Sequence, residues 1–393
     1  MKTLHQSPTD PAFVQNPYPF YETARAAGPF FFWQDYGLTC TGNFAAVNAI
    51  FRDRRFGREV PAELAQPVPG HLEPFHAVES HSMLELEPPR HTRLRSLVLR
   101  AFTSRRIAAL APEIAALAGE LAAGFPEGPF DLLQAFAQPL PVRIIARLLG
   151  VPEEMAPDLL RWSNAMVGMY MAGRTHRMEL EAAHAARAFS TFLHGYVENR
   201  RARPADDLIT HLIAAEAEGE KLSTDELVAT CILLLNAGHE ATVHTIGNGV
   251  KALLEHRTPP SALAPGKVEG TVEEILRFDP ALHMFTRWAY EEVEVMGHRF
   301  ARGDRVALLL AAANRDPGPW ERPEAFLPDR PAQPLATFGA GLHFCVGAPL
   351  ARLELQVALP ILFQRCPGLR LAEPPLYGDV YHFHGLQRLM VAR

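Results

Sequence analysis

A single cysteine stands in a glycine-rich segment that runs directly into a helix-forming stretch. Residues 338–347 read Phe-Gly-Ala-Gly-Leu-His-Phe-Cys-Val-Gly, and Cys345 lies near the end of this segment. Glycines permit tight turns and a close approach of the backbone to a flat group, and Pro349 suits the first turn of a helix. A helix N-terminus favours an anion, so the thiol of Cys345 should ionise easily and bind a metal.

The pattern Phe-x-x-Gly-x-x-x-Cys-x-Gly resembles the haem-binding loop of the cytochrome P450 family, soluble bacterial type. Thiolate-ligated haem is one of the few centres that need one cysteine on such a loop. The resemblance implies haem b, iron protoporphyrin IX, held between a long distal helix and the proximal cysteine loop, with Cys345 as the iron ligand. At matching positions it implies haem contacts from His91, Arg95, Ala237, Arg287, Phe338, Gly339, His343, Cys345 and Gly347.

Length, charge and cysteine usage narrow the class of protein. The chain has 393 residues and a net charge of -6, and no linker or repeat divides it, so we expect one domain over 1–393. The negative charge argues against nucleic-acid binding. No stretch approaches the roughly 20 apolar residues of a membrane span. Four cysteines without paired spacing favour a reducing cytoplasm, and we expect a monomer.

Hydrophobic periodicity predicts a mainly α structure with a smaller β portion. Helical spacing recurs over 108–121 and 178–200, and a capping box from Ser223 to Glu226 opens a third, long apolar run. Strand patterns follow at 30–41, at 293–310 and at 389–393. Pro360 should kink or end the helix that follows Cys345. This balance agrees with the cytochrome P450 fold that the resemblance implies.

An acid and a base stand three residues apart at Glu274 and Arg277, on one face of a predicted helix. Downstream, Phe326-Leu-Pro-Asp-Arg330 matches the family's Phe-x-Pro-x-Arg segment. In the family, the two arginines and the glutamate form a buried structural triad. Two guanidiniums around one carboxylate can hold a loop by bidentate hydrogen bonds. The resemblance therefore implies that this triad fixes the loop that carries Cys345.

The predicted distal helix departs from the family at one position. Residues 236–242 read Asn-Ala-Gly-His-Glu-Ala-Thr, and the family has a threonine directly after the acid. The resemblance implies a catalytic set of Glu240, Ala241 and Thr242, with Glu240 relaying protons. Here the hydroxyl comes one residue late. Because one residue turns a side chain by about 100° around a helix, Thr242 should lie over Gly238 and cannot replace the missing hydroxyl.

Ala241 leaves three hypotheses for proton delivery: water anchored by Glu240, a hydroxyl of the substrate, or inefficient delivery with electrons lost to peroxide. The favoured function is a haem-thiolate monooxygenase that inserts one oxygen atom from O2 into an apolar small molecule. Alternatives are a haem-thiolate enzyme that uses peroxide or acts as an isomerase or dehydratase, and a non-catalytic haem sensor. A zinc-protease motif is excluded, because His239 and His244 lie about 140° apart on the helix.

The resemblance also indicates where substrate and electron donor bind. Family members line the substrate pocket at positions that correspond to Leu84, Val243, Leu282, His283 and Phe285. Electrons should come from a ferredoxin and its reductase, because 393 residues leave no room for a fused redox module. A small acidic ferredoxin would dock near Arg100, Arg105, Arg106 and Arg352, steered by their positive charge.

Overall fold

Helices form the larger part of the structure, which confirms the predicted fold class. The computed structural model describes residues 1–171, 173–215, 219–379, 381 and 383–393. Its helices are α1 (Pro11–Gln15), α2 (Tyr18–Ala26), α3 (Phe44–Arg52), α4 (Glu73–Glu79), α5 (Arg90–Ala101), α6 (Ser104–Ala109), α7 (Ala111–Ala123), α8 (Pro139–Leu149), α9 (Ala156–Val167), α10 (His176–Ala202), α11 (Leu208–Ala214), α12 (Thr224–Glu255), α13 (Val268–Phe278), α14 (Leu310–Ala313) and α15 (Ala348–Arg365). Among the described residues, no helix combines the length and apolar character that a bilayer crossing requires.

The strands form one mixed sheet and three small ones. They are β1 (Lys2–Leu4), β2 (Phe31–Trp33), β3 (Leu38–Thr41), β4 (Phe56–Gly57), β5 (Phe130–Asp131), β6 (Met284–Ala289), β7 (Val293–Val295), β8 (His298–Phe300), β9 (Arg305–Leu309), β10 (Arg370–Leu371), β11 (Leu376–Tyr377), β12 (Leu386–Arg388) and β13 (Met390–Ala392). The main sheet has the order β1-β2-β3-β9-β6-β4. Within it, β3 pairs in parallel with β9, so residues near 40 and near 307 are neighbours.

Local sequence signals placed several of these elements correctly. The hairpin predicted over 30–41 is the antiparallel pair β2–β3, and the strand pattern at the C-terminus is β13. The strand pattern predicted over 293–310 corresponds to three strands, β7, β8 and β9. Pro360 does not end the helix as one of the two predicted outcomes required, because α15 continues through it to Arg365. The helix is held by its buried face, which includes Leu355, Leu359 and Leu362, and this burial outweighs one missing hydrogen bond.

The long helix α12 crosses the interior and supports the predicted distal residues. Its capping box is complete, because the Ser223 side chain accepts from the Glu226 N–H and the Glu226 carboxylate accepts from the Ser223 N–H. The helix has 32 residues, which corresponds to about 48 Å. A Cβ atom at Gly238 would lie 2.3 Å from Cδ1 of Ile145 in α8. Glycine at this position therefore allows α12 and α8 to pack closely.

A buried carboxylate at Glu274 collects hydrogen bonds from three directions. Arg277 donates to both of its oxygens, from Nε at 2.7 Å and from Nη2 at 2.8 Å. Arg330 donates from Nε at 3.2 Å, and the backbone N–H of Leu327 donates at 2.7 Å. Glu274 and Arg277 are both about 1% exposed at the side chain. The structure thus brings the three residues of the predicted triad together.

A second set of bonds links this triad to the segment that precedes the cysteine loop. Arg277 also donates to the backbone carbonyl of Asn314. The Asn314 side chain donates to the Thr337 hydroxyl at 2.7 Å and accepts from the Ala336 N–H at 2.8 Å. Thr337 in turn donates to the carbonyl of Leu276 in α13. Because Thr337 immediately precedes Phe338, α13 and its triad fix the start of the cysteine loop.

We predict that Glu274→Gln lowers the free energy of unfolding by roughly 3–5 kcal/mol, because it leaves the guanidinium of Arg277 buried without a carboxylate. Glu273→Gln, at the neighbouring position, is the matched control: it breaks a partly exposed ion pair with Arg352, which should cost below about 1 kcal/mol. Urea unfolding of both variants measures the difference. Equal losses would contradict the importance of the buried triad.

Candidate active site

The cysteine loop is shaped by two glycines in the left-handed region. Gly339 and Gly341 both have φ of +67°. A Cβ atom at Gly341 would lie 2.3 Å from the carbonyl oxygen of Phe51, so this part of the loop presses against the end of α3. The N–H of Cys345 donates to the Phe338 carbonyl at 3.0 Å and closes the loop. Cys345 is therefore presented just before α15 begins.

The Cys345 thiol does not ionise as easily as its place before a helix suggested. Burial raises the pKa of this thiol above its ordinary value. Hydrogen bonds from the backbone N–H groups of Gly347 and Ala348 and the charges of Arg95 and Arg352 offset only part of this effect. The prediction of an easily ionised thiol is therefore wrong for the polypeptide alone, and the positive charge of a bound metal would favour deprotonation.

Basic side chains from α5 and the cysteine loop meet at one end of the site. The rings of His91 and His343 have centroids 4.3 Å apart. Arg95 shares the face of α5 that carries His91, and it donates to the carbonyl of Phe344 at 2.6 Å. Burial, together with the charge of His343, lowers the pKa of His91 to about 4, and the Nδ1 atom of His91 has no hydrogen-bond partner among the described residues.

Arg287 of β6 adds a buried positive charge to this end. Its side chain stacks over the ring of Phe51, with Cζ 4.9 Å from the ring centroid. It donates to the backbone carbonyl of Thr286, and no carboxylate pairs with it in the described part of the chain. Burial lowers the pKa of Arg287 to about 9. A buried guanidinium without an acid indicates a site for an anionic group.

The structure assigns His343 a partner that sequence reasoning missed. Its Nε2 atom lies 2.9 Å from Oε1 of Glu87, and the same oxygen accepts the N–H of Arg58 at 2.7 Å. Glu87 stands just before the segment that carries His91, but the sequence offered no signal that pairs it with a residue 256 positions away. His343 therefore contacts a carboxylate of the protein itself. Its predicted contact to haem would have to form while this contact to Glu87 is kept.

The distal residues lie on α12 with the spacing that the sequence indicated. The Thr242 hydroxyl donates to the Gly238 carbonyl at 2.8 Å, as expected from its position one turn later. Ala237 is exposed and Ala241 is partly exposed, although the helix is buried at Asn236 and Thr242 on either side. Two small residues therefore line one open face of the helix, and neither offers a hydroxyl.

Glu240 lies between two histidines of the same helix. Its Oε1 atom is 3.2 Å from Nε2 of His244, and its Oε2 atom is 3.6 Å from Nδ1 of His239. Burial opposes ionisation of this carboxyl, but the hydrogen bond and charge of His244 hold its pKa below the ordinary value. His244 was missed as a partner of Glu240, although an acid and a base four residues apart on a helix are neighbours.

Comparison with known proteins assigns the chain to a family. The family model for cytochrome P450 matches residues 143–263 and 268–369. The chain belongs to the cytochrome P450 family. Vitamin D(3) 25-hydroxylase of Pseudonocardia autotrophica is 38% identical over 397 residues, covering 96% of this chain and 94% of the relative. Epothilone C/D epoxidase of Sorangium cellulosum is 33% identical, covering 98% and 94% of the two chains.

Solved structures agree. P450BioI, in complex with an acyl carrier protein ligated to hexadec-9Z-enoic acid, superposes with a TM-score of 0.91 at 32% identity, covering 97% of this chain and 99% of that chain. The predicted family and the cytochrome P450 fold are thereby confirmed. The chain is a cytochrome P450 monooxygenase, an oxidoreductase with a haem-thiolate cofactor.

The residues of this P450 fit a haem group. Haem carries two propionates, and a buried carboxylate needs charged partners. Arg287 is a buried cation without an acid, and the orphaned Nδ1 of His91 lies on the same side as Arg95. The donor set therefore matches the rim and the axial position of haem.

The predicted substrate residues separate into two groups. Leu84, Leu282 and Phe285 are partly buried, whereas Val243 is 3% exposed within the main hydrophobic cluster. His283 faces away from them: it is fully buried, and its Nδ1 atom lies 2.8 Å from the hydroxyl of Tyr21. The prediction that His283 contacts substrate is not supported by this position, because the side chain is buried and its Nδ1 atom pairs with a buried tyrosine.

A partly exposed ion pair beside Phe285 was also missed. Arg58 places its Cζ atom 5.5 Å from the Phe285 ring centroid and pairs with Glu85 at 2.5 Å. Tyr170 donates to Glu79 at 2.9 Å nearby, and burial raises the pKa of Glu79 to about 7. No motif in the sequence singles out these residues, because their partners come from separate loops and helices.

The four arginines of the predicted docking face differ in availability. Arg100 and Arg105 are exposed. Arg106 is partly exposed and donates to the Ala101 carbonyl at 2.7 Å. Arg352 forms a bidentate pair with Glu273, at 2.5 and 3.0 Å, and stacks over Phe338. The positive charge of Arg352 is therefore compensated within the protein, and the free basic surface consists of the other three.

We predict that Gly341→Ala destabilises the protein more than Gly37→Ala. Both glycines have a positive φ, +67° and +63°, so both variants incur backbone strain of roughly 1–2 kcal/mol. Only Gly341 faces a backbone atom within van der Waals distance, whereas nothing lies within 4 Å at Gly37. Thermal unfolding and the haem content of the purified proteins measure the effect. Equal behaviour would contradict close packing of the loop on α3.

Proposed function

We propose that this P450 inserts one oxygen atom from O2 into an apolar small molecule, with electrons from a ferredoxin and its reductase. The observation that carries the proposal is the pairing of a single loop cysteine, Cys345, with a distal helix whose acid, Glu240, is held ionised by His244. Cys345 would supply a thiolate ligand to the haem iron, and Glu240 would carry protons. Relatives named as a hydroxylase and an epoxidase support the oxygenase class.

The cofactor of this proposal is haem b. Cys345 would ligate the iron, and Arg95, Arg287 and His91 would hold the propionates. Phe338, Gly339, Gly347 and Ala237 would contact the ring, and His343 would reach a propionate only together with Glu87. When bound, haem with a thiolate ligand supplies the oxygen-activating chemistry. The triad of Glu274, Arg277 and Arg330 keeps the cysteine loop in place, so its role is structural.

The proton route is the part in which this chain departs from its family. The Thr242 hydroxyl donates a hydrogen bond to the Gly238 carbonyl, so its hydrogen is already used within the helix. Glu240 is an ionised carboxylate beside the open face that can accept a proton and pass it on, and His244 is in contact with it. Water anchored by Glu240 is the delivery route that this arrangement favours. A substrate hydroxyl and inefficient delivery are the other hypotheses.

A second candidate function rests on Ala241. Without a hydroxyl at this position, the enzyme would use peroxide directly or act as an isomerase or dehydratase on an oxygenated substrate. A haem sensor without catalysis is a third candidate; it predicts no fast electron acceptance and no spectral response to organic ligands. The distal acid beside His244 favours the oxygenase over both, because neither alternative requires a proton relay from solvent.

The substrate class, the oligomeric state, the compartment and the docking surface belong to the same proposal. The substrate would be an apolar small molecule that contacts Leu84, Leu282 and Phe285, with Val243 behind them in the core. We propose a single domain over 1–393 that acts as a monomer in the cytoplasm. The four cysteines, all free in the structure, support a reducing compartment. The ferredoxin would dock on Arg100, Arg105 and Arg106.

The test of the haem-thiolate site is the absorption spectrum of the reduced protein with carbon monoxide. We expect a strongly red-shifted Soret band for the wild type, because a thiolate donates electron density to the iron. Cys345→His should retain haem and move the band to the position of histidine ligation. Cys366→Ser is the control and should leave the spectrum unchanged. A wild-type band already at the histidine position would contradict the assignment.

The proton-delivery hypotheses are separated by Ala241→Thr. If delivery is inefficient, restoring the hydroxyl should raise product per NAD(P)H severalfold and lower peroxide formation. The reason is that a proton donor held in position accelerates proton transfer by on the order of 10-fold or more. Glu240→Gln should lower turnover in both backgrounds. Oxygen and NAD(P)H consumption with peroxide assay measures coupling. An unchanged ratio would reject inefficient delivery and leave the water and substrate routes.

The docking surface is tested by charge reversal. Arg105→Glu with Arg106→Glu should raise the apparent KM for a ferredoxin about tenfold or more at low salt, because steering depends on complementary charge. Arg177→Glu with Arg203→Glu is the control, since it makes the same charge change at exposed positions at the start of α10 and just after its end. An unaltered KM in the first variant at low ionic strength would reject this docking site.

A further inference from the structure

Two histidines and an aspartate come together where separate parts of the chain meet behind β6. Asp279, His283 and His384 are all buried, and each offers one potential ligand atom within 4.8 Å of the others. Oδ1 of Asp279 lies 3.9 Å from Nε2 of His283 and 3.6 Å from Nε2 of His384. The two imidazole rings have centroids 4.4 Å apart. The three residues thus surround one small volume.

Two buried polar atoms in and beside this cluster lack partners. His283 is fully buried, and its Nε2 atom has no hydrogen-bond partner among the described residues. The Asn248 carboxamide donates to the backbone carbonyls of Asp279 and His384, yet its Oδ1 atom is also unpartnered within those residues. An unsatisfied buried polar atom costs about 1–3 kcal/mol. A ligand that accepts the lone pair of His283 would remove this cost.

The surrounding hydroxyls orient the potential ligands. Tyr21 lies 2.8 Å from Nδ1 of His283 and 2.8 Å from the hydroxyl of Tyr381. If Nδ1–H donates to Tyr21, the lone pair of His283 is on Nε2 and faces Asp279. Tyr18 donates to Oδ1 of Asp279 at 2.7 Å. Such outer partners fix tautomer and ring orientation in protein metal sites.

We propose that Asp279, His283 and His384 bind a zinc ion. Two imidazole nitrogens and one carboxylate oxygen form a donor set that suits Zn²⁺, with a water in the fourth position. Zinc bonds of about 2.0–2.1 Å place tetrahedral ligand atoms about 3.4 Å apart. The two measured separations are close to this value, so small side-chain rotations complete the site.

The charges around the cluster set its affinity. Lys251 stacks over Tyr377 but pairs with Glu255 at 2.9 Å. Arg315, which stacks on Tyr18, is the positive charge that opposes a cation here. We therefore expect weaker binding than at a cysteine-rich zinc site.

The site would join two segments that flank the proposed substrate residues. Leu282 forms an isolated antiparallel bridge with Phe383, directly beside His283 and His384. Asn248 links both segments to α12. A zinc ion would thus cross-link the start of β6 to the turn before β12, and it would do so without contacting Cys345 or any residue assigned to haem.

Zinc content of the holoenzyme tests the proposal. The protein is dialysed against a chelator, loaded with Zn²⁺, freed of excess metal by gel filtration and analysed for zinc and iron. We expect about one zinc per chain above background in the wild type, and at least a tenfold loss of calorimetric affinity in His384→Gln and His283→Gln. Zinc should also raise the thermal midpoint of the wild type and not that of the variants.

The control variant removes another pair of histidines. His71 and His176 have ring centroids 4.7 Å apart near Glu179. The double variant His71→Gln with His176→Gln should leave zinc binding at the proposed site unchanged. If a site variant misfolds, X-ray absorption at the zinc edge of the wild type must show two imidazoles among its nitrogen and oxygen ligands. The proposal would be overturned if the wild type retained no zinc, or if His384→Gln retained as much zinc as the wild type. Either result would leave a hydrogen-bonded cluster only.

Discussion

The carboxylate of Glu274 is the point from which the proximal side of the molecule is held. It is buried with Arg277, and its two oxygens accept from two arginines and a backbone N–H. A buried charge is stable only when such partners are complete. Through Asn314 and Thr337 this anchoring reaches the first residue of the cysteine loop. The placement of Cys345 therefore depends on an ion pair that never touches the cofactor.

What the sequence predicted well is local. The capping box of α12, the Thr242 bond to Gly238 and the three-residue spacing of Glu274 and Arg277 all follow from helix geometry. What it could not predict is which partner a charged side chain finds across the fold. His343 meets Glu87, and His283 meets Tyr21, over 256 and 262 residues of chain. Helical spacing carries no information about such pairs.

The two sides of the site, α5 with β6 on one side and α12 on the other, carry different charges. On the side of α5 and β6, Arg95 and Arg287 have no acidic partner among the described residues, which suits an anionic rim. On α12, the acid Glu240 is held by His244, which suits proton transfer. Burial disfavours the charged form on both sides. It lowers the pKa of Arg287, whereas at Glu240 the hydrogen bond and charge of His244 outweigh burial and keep the pKa low. Each group is therefore tuned by its neighbours.

The pairing of β3 with β9 has a consequence for how the protein is made. Residues 39–41 lie beside 306–308 in the main sheet, and β13 at the C-terminus pairs with β5. Contacts this far apart in sequence form slowly and only after both partners have left the ribosome. Every strand of the main sheet precedes Cys345 in the chain. Capture of the cofactor therefore requires synthesis beyond Cys345, and a nascent chain arrested before β9 would hold an unfinished sheet.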